Sequence, residues 1–313
     1  MSPKPPQPGS SHPQPSLKIL MLHGYTQSGQ LFHAKTRALE KHLQKSFPLH
    51  AVHLSYPTGP LPLSPSDIPN FQPSTTTDNP NPTDTTPESF AWWRRSDTTS
   101  PPEYLGIDSA FSSIAKLLTD QGPFDGVIGF SQGAAFAAML ASLLEPDRAS
   151  SFAYFSDPNH NSCPAGGSSS TTSAGEIVTG IPFPPSFKQL THPPLKFAIC
   201  YSGFRAPGTR FRAFYERPKI RTPVLHVLGS LDAIVDEERS RTLVEACEGD
   251  GVDGEGMEGR VIWHPGGHFL PSQRPYLDGA VRFIKGCLEG GEGGGKEKGV
   301  VEEERVEDMD VPF

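Results

Sequence analysis

Cysteine is scarce in this chain, which has four cysteines among 313 residues. Cys163, Cys200, Cys247 and Cys287 lie far apart and show no metal-binding spacing. The N-terminal stretch also lacks the apolar core of a secretory signal. These features predict reduced thiols in a cytoplasmic protein, with the nucleus as a second location, and neither a disulfide framework, a metal site nor a cofactor.

Long hydrophobic runs and an excess of basic residues are missing as well. No apolar run approaches the roughly 20 residues that a membrane-spanning helix needs. Lys and Arg total 27 against 35 Asp and Glu, for a net charge of -8. Nine acidic and three basic residues lie between 289 and 313, so the rest of the chain is nearly neutral. We therefore expect a small-molecule substrate and neither nucleic acid nor membrane as a partner, while the oligomeric state stays open.

Proline and glycine are abundant, with 34 and 31 residues, and only 35% of the chain is hydrophobic. This composition predicts a folded core interrupted by irregular segments. We predict a disordered Pro-rich N-terminus at 1–16, one domain at 17–288 and a disordered Gly- and Glu-rich tail at 289–313. Irregular insertions are expected within the domain near 58–87 and 156–180.

Short apolar runs alternate with segments of helical periodicity along the predicted domain. The predicted strands are 17–22, 49–56, 124–130, 195–202, 224–229 and 260–264. The predicted helices are 28–46, 102–119, 132–144, 236–247 and 272–288. This alternation indicates an α/β fold with a mostly parallel central sheet and helices on both faces.

The pentapeptide Gly129-Phe130-Ser131-Gln132-Gly133 follows one of these strands and begins a helix rich in small residues. A G-x-S-x-G pattern between a strand and a helix is typical of a nucleophile elbow, which holds a serine hydroxyl at the edge of a sheet. The pentapeptide alone would occur by chance in roughly one in ten chains of this length. The context is therefore what makes Ser131 a candidate nucleophile.

A serine nucleophile needs a general base, and the base needs a carboxylate to orient it. In hydrolases with such an elbow the chain order is serine, acid, histidine, each following a strand. Asp232 follows the strand at 224–229, and His268 follows the strand at 260–264 after two glycines. We predict Asp232 as the orienting acid and His268 as the base.

Other residues compete for these two roles. Asp236 is an alternative acid, but it lies at the start of a predicted helix, where an acidic residue is expected in any case. His264 is an alternative base that ends a strand and is expected to point into the core. His226, in the middle of a strand, and His23, beside Gly24, are expected to be structural.

Acyl transfer also needs donors for the oxyanion that forms on the carbonyl oxygen. The backbone N–H of Gln132, directly after the nucleophile, is one predicted donor. The backbone N–H of Tyr25 is the second, because Gly24 allows the loop after the first strand to approach closely. The alternative is that His23-Gly24-Tyr25 forms only a turn.

Aromatic residues near these segments suggest a substrate pocket. Trp92 and Trp93 form either a plug in the core or a pocket wall, and the adjacent long polar loop favours a partly exposed wall. Phe269, directly after the predicted base, is the third predicted pocket residue.

Taken together, residues 21–25, 91–94, 122–134, 229–232 and 265–268 resemble the FSH-type serine hydrolases of fungi and their animal relatives, including the ovarian-tumour-associated hydrolase. The matching stretches are spread over most of the chain between 17 and 288. The resemblance implies an α/β-hydrolase fold without a large cap domain, and esterase or thioesterase activity. The family's catalytic triad would correspond to Ser131, Asp232 and His268.

The expected function is hydrolysis of a carboxylic ester or thioester through an acyl-enzyme, without a metal. Alternatives are a polyketide-releasing thioesterase, an acyl transferase or a peptidase on the same fold. A protein that keeps the three residues but only binds its ligand is a further alternative. Multiple turnover would separate the enzymes from the binding protein, since fold alone decides none of these questions.

Overall fold

A computed structural model of the chain describes residues 14–68, 89–96, 98–99, 102–160, 179–249 and 260–289. Within these residues six parallel strands form the central sheet: β1 (Ser16–Leu22), β2 (Ala51–Ser55), β3 (Gly126–Phe130), β4 (Phe197–Tyr201), β5 (Val224–Gly229) and β6 (Val261–His264). Their spatial order is β6-β5-β4-β3-β1-β2. All six strands predicted from the sequence are confirmed.

The described part of the chain has six α-helices beside the sheet. They are α1 (Gly29–Ser46), α2 (Ile107–Gln121), α3 (Gln132–Leu143), α4 (Arg148–Ser156), α5 (Glu237–Glu245) and α6 (Arg274–Glu289). The helix predicted from residue 102 begins five residues later, because Gly106 takes a left-handed conformation with φ of 86° and precedes the first turn.

Two short antiparallel pairs lie outside the main sheet. Leu61–Pro62 pairs with Phe90–Ala91, and Arg94–Arg95 pairs with Tyr104–Leu105. Single 3-10 turns occur at Pro65–Asp67, Pro158–His160, Pro185–Phe187 and Thr209–Phe214. These elements place the segment around residue 92 against the main domain.

Both faces of the sheet are covered, as the buried strands require. On one face, α1 and α6 pack on β-strand residues such as Ile19, Ile128 and Ile199. On the other face, residues of α2, α3, α4 and α5 form a second apolar cluster that includes Phe111 and Phe136. Within the described residues no separate cap domain is present, and the arrangement is the expected α/β-hydrolase fold.

The parallel strands bring their carboxyl ends to one edge of the sheet. The loops that follow β1, β3, β5 and β6 therefore meet at this edge, which we call the carboxyl edge. These are the loops that carry the candidate residues identified from the sequence.

Several predictions about irregular segments concern residues outside the described part of the chain. Residues 1–13 and 290–313 belong there, as do 69–88 and 161–178 of the two insertions. The beginning of the first insertion is described and contacts the domain, since the backbone N–H of Gly29 donates to the Thr58 hydroxyl at 3.0 Å. No helix among the described residues is long and apolar enough to cross a membrane.

Candidate active site

The turn between β3 and α3 holds Ser131 in a strained backbone conformation, with φ of 53° and ψ of -116°. The flanking glycines leave no room for a side chain. A Cβ atom on Gly129 would lie 2.2 Å from the carbonyl oxygen of Gly133, and one on Gly133 would lie 2.1 Å from that of Leu22. The backbone N–H of Ser131 donates to the Tyr201 carbonyl at 2.8 Å. The turn thus places the serine hydroxyl at the carboxyl edge, at the start of α3.

Ser131, His268 and Asp232 form one hydrogen-bonded chain. His268 Nε2 lies 2.9 Å from Ser131 Oγ, and His268 Nδ1 lies 2.8 Å from Asp232 Oδ2. The second oxygen of Asp232 accepts the backbone N–H groups of Ile234 and Val235 at 3.0 and 2.9 Å. The fold therefore brings together three residues separated by as many as 137 positions in the sequence.

The loops after β5 and β6 support each other as well as these side chains. The N–H of Ser230 donates to the His264 carbonyl at 2.9 Å, and the N–H of Leu231 donates to that of Gly266 at 3.0 Å. A Cβ atom on Gly229 would lie 2.6 Å from the Gly266 carbonyl oxygen. The glycines at both strand ends therefore allow the close approach that sets the distance from Asp232 to His268.

Asp232 is ionised near neutral pH, although its side chain is only 2% exposed. Burial raises the pKa of its carboxyl, but the Val235 N–H, His268 and the nearby Ser202 hydroxyl lower the pKa more, to below its ordinary value. The ionised carboxylate accepts a hydrogen bond from the Nδ1–H of His268. Nε2 is then left unprotonated and faces the serine hydroxyl.

The competing acid and bases lie elsewhere, as expected. Asp236 caps α5, where its carboxylate accepts the Arg239 N–H at 2.9 Å. His226 is buried within β5, and burial lowers its pKa to about 3. His264 is buried too, its ring lies 5.1 Å from that of Phe269, and Gly266 N–H donates to its Nδ1 at 3.3 Å.

His23 is a structural residue at the end of β1. Its Nδ1 donates to the Gly24 carbonyl at 2.8 Å, and its Nε2 accepts the Gly59 N–H at 2.8 Å. Burial lowers the pKa of His23 to about 4, although the bond to Gly24 opposes the shift. The neutral ring therefore ties the loop after β1 to the start of the first insertion.

The two predicted oxyanion donors lie on the loops after β1 and β3. The N–H of Gln132 belongs to the first turn of α3, where backbone N–H groups have no partner within the helix. Tyr25 follows Gly24, whose added Cβ would lie 3.0 Å from the Phe130 ring. The Tyr25 hydroxyl donates to the Asp67 carbonyl at 2.9 Å, which ties Tyr25 to the 3-10 turn at Pro65–Asp67.

Trp92 and Trp93 are 0% and 2% exposed, so the prediction of a partly exposed pocket wall was wrong. The two rings pack in the core, where Trp92 lies 5.1 Å from Phe136 and Trp93 stacks on Tyr104 at 4.7 Å. The long polar loop beside them in sequence gave a misleading indication, because Ala91 pairs with Leu61 and draws the segment inward.

The tryptophan segment instead joins the two loops that carry the predicted oxyanion donors. The N–H of Trp92 donates to Gln132 Oε1 at 2.9 Å, and Gln132 Nε2 donates to the Trp93 carbonyl at 2.8 Å. The indole N–H of Trp92 donates to the His23 carbonyl at 2.9 Å. These bonds give the segment a supporting role that sequence patterns did not reveal.

A cavity of about 530 Å³ opens beside Ser131 and His268. Phe269, the third pocket residue predicted from the sequence, is part of its lining. Its other side chains include four that the sequence did not indicate, because exposed loop and helix positions carry no periodic signal: Lys35, Ile68, Ile234 and Leu270. Ile234 is 63% exposed, so this cavity presents an apolar side chain to solvent.

A larger cavity of about 810 Å³ lies near Leu143 and Phe152, at the opposite end of α3 from Ser131. Its lining includes none of the candidate residues. The cavity of about 530 Å³ beside Ser131 is therefore the candidate substrate site.

Among the described residues, no group of three or more His, Cys, Asp or Glu side chains is arranged to hold a metal ion.

Several proteins are similar in sequence to this chain over most of its length. It is 32% identical to a Schizosaccharomyces pombe protein named dihydrofolate reductase, over 86% of this chain and 47% of that protein. This chain thus spans about half the length of that relative, whose whole activity does not transfer to it. It is 30% identical to esterase OVCA2 of Danio rerio, over 86% of this chain and 96% of that protein.

Among solved structures, that of Zea mays acyl-protein thioesterase 2 is similar, with 20% identity, coverage of 90% of this chain and 96% of that one, and a TM-score of 0.49. The family model described as serine hydrolase (FSH1) matches residues 13–280. A match of this extent covers the elbow and both loops that carry Asp232 and His268. The chain belongs to the FSH1 family of serine hydrolases.

Proposed function

We propose that this protein hydrolyses a carboxylic ester or thioester, with Ser131 as nucleophile, His268 as general base and Asp232 as orienting acid. The observation that carries the proposal is the hydrogen-bonded chain from Ser131 Oγ through His268 to Asp232. A serine hydroxyl needs such a base to act as a nucleophile near neutral pH. The strained turn and the start of α3 supply the further features of an elbow.

The first half of the reaction forms an acyl-enzyme. Ser131 Oγ attacks the carbonyl carbon while His268 Nε2 takes the hydroxyl proton. The backbone N–H groups of Gln132 and Tyr25 donate to the resulting oxyanion. When the intermediate collapses, the bond to the leaving group breaks, and the alcohol or thiol departs with the proton from His268.

The second half restores the enzyme. A water molecule gives a proton to His268 Nε2 and attacks the acyl carbon. The bond to Ser131 Oγ then breaks, the serine regains its proton from His268, and the carboxylic acid leaves. Throughout, the Asp232 carboxylate stabilises the transient imidazolium and holds its orientation.

The cavity supports an apolar acyl or alkyl group of moderate size. Its lining includes the apolar side chains of Ile68, Ile234, Phe269 and Leu270, and about 530 Å³ lies within the ordinary range of small-molecule sites. Zebrafish OVCA2 is named an esterase, which favours esters as the first substrates to test.

A fluorophosphonate probe tests the nucleophile directly, because an activated serine displaces its fluoride and becomes phosphonylated. We expect rapid labelling of the wild type and none of Ser131→Ala. Ser230→Ala is the matched control, since Ser230 lies at the same edge and bonds only to the His264 carbonyl among the contacts described. Equal labelling of wild type and Ser131→Ala would overturn the assignment.

Turnover distinguishes an enzyme from a ligand-binding protein. Nitrophenyl esters and matched thioesters of increasing acyl length should be hydrolysed over many cycles, with a maximum at a moderate length and with Ser131→Ala as the blank. Labelling without multiple turnover would instead indicate a binding protein. Preferential transfer of the acyl group to an added alcohol or amine would indicate an acyl transferase.

A further inference from the structure

Ser202, the residue directly after β4, has an unusual backbone and an unusual side chain. Its φ of 49° is one of five positive values among the described non-glycine residues. It is 1% exposed, and its Oγ has no hydrogen-bond partner of standard geometry within the described residues. The positive φ and the buried hydroxyl without a partner each cost folding free energy. Such costs are typical of residues with a role in a functional site.

The backbone around Ser202 links the strand of the nucleophile to the strand of the acid. The carbonyl of the preceding residue, Tyr201, accepts the N–H of Ser131 at 2.8 Å. The N–H of Ser202 donates to the Val227 carbonyl of β5 at 2.9 Å. Ser202 is therefore fixed between the elbow and the strand that leads to Asp232.

The N–H of Ser202 bonds to β5, the strand that leads to Asp232, and the Ser202 hydroxyl is near enough to the Asp232 carboxyl to lower its pKa. Asp232 Oδ1 already accepts two backbone N–H groups, and Oδ2 accepts His268. Burial has the largest effect on the pKa of Asp232 and raises it. The Val235 N–H, His268 and the Ser202 hydroxyl, in decreasing order of effect, lower that pKa. Because the Ser202 hydroxyl has no other hydrogen-bond partner within the described residues, it is available to donate to this carboxylate.

We propose that Ser202 is a positioning residue, which donates its hydroxyl to the Asp232 carboxylate and so holds that carboxylate against His268 during the reaction. The proposal rests on the proposed function, because it assigns Ser202 a role only through Asp232 and His268. The left-handed backbone is needed to turn the hydroxyl from the end of β4 toward the neighbouring loop. The hydroxyl does not touch the substrate.

The pH profile reports this role. The titratable groups that face Asp232 are His268 and His264, and Lys35 lines the cavity on the α1 side. A hydrogen-bond donor stabilises the Asp232 carboxylate most when His268 is neutral, because a protonated His268 already compensates the negative charge of Asp232. Without the hydroxyl, the Asp232–His268 pair takes up its first proton at higher pH, so the acid limb of kcat/KM moves upward.

Ser202→Ala removes the hydroxyl and keeps the backbone strain, whereas Ser202→Gly removes both, since glycine accepts a positive φ. We expect kcat to fall about tenfold in both variants with KM nearly unchanged, and the acid limb to rise by about one pH unit. Ser230→Ala, which loses a hydroxyl at the same edge, should leave both quantities unchanged. Having two variants keeps the test valid if the strained alanine variant does not fold.

Wild type and Ser131→Ala are measured in parallel so that two failures can be told apart. If wild type turns over, Ser131→Ala does not, and both Ser202 variants keep the wild-type kcat and acid limb, the role of Ser202 is overturned while the proposed function stands. A lower stability without a shifted acid limb would likewise overturn it, since that is the result of a structural role alone. Absence of wild-type turnover would overturn the proposed function and this role together.

Discussion

The side chain of Gln132, which occupies a variable position of the G-x-S-x-G motif, binds the tryptophan segment. Its amide makes two buried hydrogen bonds, to the N–H of Trp92 and to the carbonyl of Trp93. Trp92 in turn holds the His23 carbonyl through its indole N–H. A single polar side chain and one indole therefore connect three segments that the sequence separates.

At this scale we predict that Trp92→Phe lowers kcat/KM about tenfold and the free energy of unfolding by about 1–3 kcal/mol. Phenylalanine keeps an aromatic ring in the core but leaves the buried His23 carbonyl without its donor, so the loop with Tyr25 loses its position. Steady-state kinetics with the best ester, together with urea unfolding, measures both effects.

Trp93→Phe is the matched control for this prediction. Trp93 is equally buried and stacks on Tyr104, so the variant loses packing and stability. Its indole N–H takes no part in the hydrogen bonds described above, and kcat should remain near the wild-type value. Equal loss of kcat in the two variants would contradict the role assigned to the Trp92 indole.

The strand–turn–helix element shows which parts of the fold a sequence can reveal. Alternation of apolar runs and helical patterns predicted every strand of the sheet, because buried parallel strands must be continuously apolar. The positions of Ser131, Asp232 and His268 followed from chain order and strand ends. The burial of Trp92 and Trp93 did not, since it depends on a two-residue pairing with Leu61–Pro62 that no local pattern encodes.

Replacing a glycine by alanine should have opposite effects on the free energy of unfolding in two helices, at Gly133 in α3 and at Gly286 in α6. A Cβ atom on Gly133 would lie 2.1 Å from the Leu22 carbonyl oxygen, whereas one on Gly286 would meet nothing within 4 Å. Gly133→Ala should force β1 away from α3 and cost about 3 kcal/mol, while Gly286→Ala should stabilise α6 by about 1 kcal/mol. Urea unfolding measures both changes, and a Gly133→Ala variant as stable as wild type would contradict the packing described.

For the whole molecule, two buried histidines couple folding to pH. Burial lowers the pKa of His23 to about 4 and that of His226 to about 3, where Arg260 adds to the effect. In the unfolded chain both take up a proton near pH 6.5. Below that pH the unfolded state binds more protons than the native state, so the free energy of unfolding falls as the pH falls.

We expect the two histidines to cost on the order of 3 kcal/mol each between pH 7 and pH 4. Urea unfolding at a series of pH values should show this loss, and His226→Gln should make the pH dependence shallower. His33→Gln is a suitable control, because His33 lies at the surface beside Glu40. A slope that His226→Gln leaves unchanged would contradict the contribution of His226.

The bridge from Gln132 through Trp92 to His23 also bears on how reactivity and folding relate. Ser131, His268 and the backbone N–H groups of Gln132 and Tyr25 come from separate parts of the chain, and the tryptophan segment bonds to the two loops that carry Gln132 and Tyr25. A molecule that opens there keeps every reactive residue but loses their arrangement. In a mixed population, the fraction of molecules that a covalent serine probe labels rapidly should therefore equal the fraction with this tertiary structure intact.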